Sequence, residues 1–99
     1  MIRHILFWKY TAEVKQAHKE KEMLVFLQKS VETMEGKIPG LLKIEIQSNL
    51  SDGYDLVFYA EFEDLEALHN FQNHPLHVAH RDRCKAIVTD RLVGDIESK

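Results

Sequence analysis

Ninety-nine residues, 44% of them apolar, make one small domain spanning 1–99, which hides only about 60–65% of its unfolded surface unless a partner subunit helps. A net charge of −3 with acids and bases interspersed offers a phosphate backbone nothing to hold, which excludes nucleic acid, and no apolar run approaches the ~20 residues of a membrane span. The one cysteine, Cys84, has no intrachain partner, and the short run Ile5-Leu6-Phe7-Trp8 lacks a small-residue cleavage site, so a reducing cytoplasm and no signal peptide are expected.

Residues 1–10 alternate as a strand, with Ile2, His4, Leu6, Trp8 and Tyr10 on one face and Arg3, Ile5, Phe7 and Lys9 on the other. Large apolar groups on both faces predict burial on both sides. Thr11 is a helix cap, and a helical pattern from about Val14 to Glu35 puts Ala17, Leu24, Leu27, Val31 and Met34 on one stripe, widened by Met23 and Phe26. Gly36 is placed to end this helix, and Ile38-Pro39-Gly40 forms a loop. Leu41–Asn49 and Tyr54–Phe62 read as a hairpin turning at Ser51-Asp52-Gly53. Asp64 or Glu63 opens a short helix through Leu65, Leu68 and Phe71. Pro75 breaks it, since proline has no N–H and clashes with the preceding turn. Proline suits the first position of a restarted helix, here running to about Ala86, before a last, less regular strand from Ile87 to Ile96.

The order β-α-β-β-α-β is the ferredoxin-like α+β arrangement, an antiparallel sheet with helices on one face. The other face carries Ile5, Phe7, Val57 and Tyr59, more apolar surface than a monomer usually leaves in water. A homodimer with the two sheets face to face buries it, which predicts a dimeric α+β barrel.

The opening Met1-Ile2-Arg3-His4-Ile5-Leu6-Phe7-Trp8-Lys9, Ile38-Pro39-Gly40, Tyr54-Asp55-Leu56-Val57, the helix entry from Phe62 to Leu68 and His74-Pro75-Leu76-His77 occur in this order. In these motifs the chain resembles the stress-responsive dimeric A/B barrel (Dabb) domain family along nearly its whole length. The resemblance implies a ferredoxin-like protomer paired through its sheets. It also implies one of several roles, since the family includes plant stress proteins without known chemistry and a polyketide cyclase that closes a ring by aldol condensation. The cyclase's essential helix histidine corresponds to His77 and its first-strand histidine to His4. Its catalytic tyrosine falls on Phe71 and a further histidine on Leu56, so only the imidazole base carries over.

The residues themselves also single out His77. Imidazole titrates near neutral pH, and a base in an apolar pocket suits ligand binding or proton abstraction beside a carbonyl. His4 is its candidate partner, and Leu6, Trp8, Leu24, Leu27, Phe58, Phe71 and His74 are the expected pocket wall. The alternative for both histidines is a structural hydrogen bond to the backbone. His74, held out of helical geometry by Pro75, is expected mainly to cap the second helix piece. His77, His80 and Cys84 share a helical stripe about 10 Å long, too long for all three to reach one ion, so no metal and no cofactor are expected. Two further readings stand beside the small-molecule pocket. One is a non-catalytic, stress-associated structural dimer; the other is a dimeric-barrel oxygenase acting on a quinol or haem, by analogy of fold.

Overall fold

Period-two alternation builds the sheet. Along β3 (Leu56–Phe62), Leu56, Phe58, Ala60 and Phe62 are buried while Val57, Tyr59 and Glu61 between them are only half so. In the computed structural model, which describes residues 1–98, β3 lies between β2 (Leu41–Ser48) and β1 (Ile2–Tyr10), and β4 (Val88–Glu97) flanks β1. The order is therefore β2-β3-β1-β4, antiparallel throughout, and the fold is ferredoxin-like α+β. Among the described residues no helix is long and apolar enough to cross a membrane.

The first helical segment differs from expectation. It is two helices, α1 (Ala12–Gln16) and α2 (Glu20–Glu32), with His18 between them in the left-handed region at φ 55°. Thr11 caps α1 by accepting from the Val14 N–H at 3.4 Å. The break restarts the helical register. Ala17 is thereby left exposed, Phe26 is 43% exposed, and the inward stripe of α2 is Leu27, Ser30 and Val31, followed by Met34. Tyr10 secures the junction, its hydroxyl donating to the Glu20 carbonyl at 3.1 Å. α2 ends at Glu32, so Gly36 lies in the turns that follow rather than directly at the helix end.

The second half follows the proline. α3 (Leu65–Asn73) is capped by Asp64, whose carboxylate accepts from Ala67 N–H at 2.8 Å. His74 then closes α3 and opens α4 (Pro75–Cys84), its Nδ1 accepting from the Leu76 N–H at 3.1 Å. Gly40 sits against α3 at φ +79°; a Cβ there would lie 2.4 Å from the Ala67 Cβ, so the loop reaches the helix only without a side chain. On the bare side of the sheet, Phe7 pairs with Val57 and Leu92, and Ile5 with Tyr59 and Gly94. Leu92 and Ile96 on that face are 51% and 52% exposed.

Candidate functional site

Between the sheet and the α3–α4 pair lies a cavity of about 490 Å³, within the usual size of small-molecule sites. Alternate residues of β1 supply His4, Leu6 and Trp8 to its wall, β3 supplies Phe58, and α3 supplies Phe71 at its last turn. α4 brings His77, His80, Arg81 and Cys84, and β4 brings Val88 and Arg91. His4 and His77, the two histidines singled out in the sequence, line the same space together with Leu6, Trp8, Phe58 and Phe71. Leu24, Leu27 and His74 do not line it. Leu27 is wholly buried in the core and Leu24 packs against that core, because α2 lies over β2 at the far end of the sheet. The His74 ring is taken by the cap of α4. Leu56, the other departure from the cyclase pattern, is buried in the core as well.

The imidazoles are held by different means. His4 stands directly across from Asp95 in the β1–β4 register, and its Nδ1 bonds the Asp95 carboxylate. A carboxylate only accepts, so Nδ1 carries the hydrogen; Nε2 has no partner among the described residues. The ring meets Phe58 edge-on, with centroids 6.2 Å apart. His77, in the first turn of α4, donates Nδ1–H to the Gln72 carbonyl at 3.3 Å and lies over the Phe71 ring, with centroids 4.1 Å apart. Burial lowers its pKa. The Gln72 carbonyl opposes the shift, while Arg81, His4 and Arg91 add to it. His77 is therefore neutral at pH 7, with the lone pair on Nε2.

His80 was expected only as one member of the helical stripe with His77 and Cys84, not as part of the pocket wall. It is 1% exposed, stacks on Phe58, and has both ring nitrogens engaged: Nδ1 with Ser30 Oγ at 2.8 Å and Nε2 with Cys84 Sγ at 3.5 Å. Arg83 donates to the same Ser30 Oγ at 3.0 Å. Burial, with smaller contributions from His77 and Arg83, brings the His80 pKa down to about 4. Burial likewise pushes the Cys84 thiol up to about 11, so Cys84 is a protonated thiol and a poor nucleophile. The one sequence signal for His80 was its place one helical turn beyond His77. Asp95 gave none, because its meaning depends on the β1–β4 register, which sets it beside His4, 91 residues away in the chain.

No curated protein matches the chain. A Bacteroides fragilis structure, described as a dimeric protein of unknown function with a ferredoxin-like fold, is 24% identical and matches 98% of this chain with 95% of its own at a TM-score of 0.84. A Mesorhizobium loti Dabb family protein with a ferredoxin-like fold is 29% identical, over 99% of this chain and 96% of its own, at a TM-score of 0.75. A structure named as an antibiotic biosynthesis monooxygenase is 18% identical, over 100% of this chain and 99% of its own, also at 0.75. At such identities the first and third likenesses establish the fold alone. With the stress responsive A/B barrel domain (Dabb) model matching residues 2–98, the chain belongs to that family.

Proposed function

We propose that the chain binds a small, largely apolar carbonyl compound in this cavity, and that His77 Nε2 takes a proton from the carbon beside the carbonyl. The electron pair of the broken C–H bond moves into the enolate, and the imidazolium returns the proton at the end of the turnover. One observation carries the reading: His4 and His77 each tie Nδ1 to an acceptor and leave Nε2 unpartnered beside the same apolar space. His4, aligned by Asp95, is placed to orient the substrate. Phe71 has no phenol with which to polarise a carbonyl, so the proposal extends to proton transfer and not to the aldol ring closure of the cyclase relative. Two copies pair through the bare sheet faces, a reading supported by the exposed Leu92 and Ile96 and by the dimeric Bacteroides fragilis neighbour. A cytoplasmic setting suits the single buried thiol.

The test is a thermal-shift screen of carbonyl and aromatic compounds on the wild type and His77→Ala together. The expected outcome is a compound that raises the wild-type Tm and leaves the variant unmoved, while the variant's own Tm stays within about 4 °C of wild type, as loss of one weak hydrogen bond allows. A variant that melts much lower, with no compound found for the wild type, would favour the non-catalytic structural dimer. Trp8 in the wall supports a further reading, an oxygenase acting on a quinol or haem. Haem titration tests it: a Soret shift sustains that reading and its absence ends it.

A further inference from the structure

We propose that this cavity selects an organic anion, an aromatic or otherwise apolar body whose acidic head sits between Arg81 and Arg91. The inference rests on the cavity reading above and names the ligand class.

The charges around the cavity are one-sided. Arg81, Lys85 and Arg91 line it, and among the described residues no carboxylate does, in a chain whose net charge is −3. Lys85 is paired with Asp82 at 3.0 Å, whereas neither arginine has a carboxylate partner among the described residues. Each charged group that bears on His77 is a cation or a histidine: Arg81, His4 and Arg91. Cations gathered without counter-charge around an apolar space favour a ligand that brings the missing negative charge.

The backbone at Arg91 is irregular in a way that serves this arrangement. Between the pairs Phe7–Leu92 and Lys9–Thr89, two residues of β4, Asp90 and Arg91, stand opposite the single Trp8. Asp90 takes the left-handed conformation at φ 54°, an uncommon state for a residue with a side chain. Such a bulge re-aims side chains, and here Arg91 and Trp8 both line the cavity. Arg81 comes from the opposite wall, one residue after His80 on α4. The apolar floor of Leu6, Trp8, Phe58 and Phe71 then receives the body of the ligand and the two guanidinium groups its head.

The experiment compares 2-naphthoate with 2-naphthalenemethanol, which share a ring system and differ in charge. Binding is followed by calorimetry and by the indole N–H resonance of Trp8, the only tryptophan. Wild type should bind the acid about tenfold more tightly than the alcohol at low ionic strength, and the advantage should shrink in about 0.5 M salt. Arg81→Gln and Arg91→Gln, both at exposed positions, should each weaken the acid several-fold and leave the alcohol unchanged. Equal affinity for the two compounds, or equal losses in the variants, overturns the anion preference and leaves the cavity reading standing. If neither compound binds or moves the Trp8 resonance, the cavity reading falls and the anion preference falls with it.

Discussion

The two ends of the layer between sheet and helices are built differently. At the α2 end, Leu27 and Met34 are wholly buried in one core with Ile44 and Ile46 of β2, and what space remains is a groove of about 330 Å³ on the outer side of that core, beside Val31. At the α4 end, the helix buries only His80 and Cys84, and a cavity of about 490 Å³ remains in front of them. The cause lies in side-chain chemistry. Branched apolar groups interlock without regard to direction, whereas an imidazole must keep its hydrogen-bond partners in place and cannot slide to close a gap. The comparison teaches that one end supplies the stability and the other holds reactive groups at a fixed separation. Leu27→Ala should therefore cost about 2–5 kcal/mol in urea unfolding, the range for a methyl-bearing core side chain replaced by a void. A loss under 1 kcal/mol would mean that the α2 end is not the anchor.

The pH dependence separates the ends next. The His80 pKa is lowered from 6.5 to about 4 in the folded chain, so between those values the unfolded chain binds the extra proton. Stability is full above pH 6.5, falls as pH drops towards 4, and amounts to about 3 kcal/mol for this group at most. The lowered pKa of His77 acts in the same direction. His80→Leu, which has no proton to bind, should show a shallower fall than wild type when unfolding is measured at neutral pH and again near pH 4. Parallel curves for the two proteins would show that His80 is not held neutral by burial.

Much of this was legible in the sequence. The alternation in β1 and β3, the cap at Thr11 and the Pro75 break with His74 at its hinge all follow from local rules, whereas the meeting of His4 with His77 was expected from the family resemblance. The break at His18 did not, because Ala17-His18-Lys19 holds neither glycine nor proline to mark a left-handed residue. Leu24 and Leu27 were expected in the pocket wall for a related reason. Their stripe is correct as an apolar face, but which end of the sheet that face covers depends on how α2 lies over β2, which periodicity does not encode. Asp95 and the bulge at Asp90 and Arg91 are set by strand register between opposite ends of the chain, and a register error of one residue moves every side chain to the other face.

The smallest expected effect gives the sharpest contrast between the two ends. Leu27 and Val88 are both aliphatic: Leu27 is wholly buried in the α2 core, and Val88 is half-buried in the cavity wall. Replacing each with phenylalanine adds a ring to two environments. Leu27→Phe has no room and should cost about 1–3 kcal/mol, the usual penalty for overpacking. Val88→Phe has open space in front of it, so its unfolding free energy should stay within about 1 kcal/mol of wild type, while 2-naphthoate binding is lost because the ring occupies the ligand's place. Equal penalties at the two positions would mean that the cavity closes in solution. A stable Val88→Phe that still binds would place the ligand elsewhere, and the contrast between a filled end and a receptive end would then no longer explain where binding occurs.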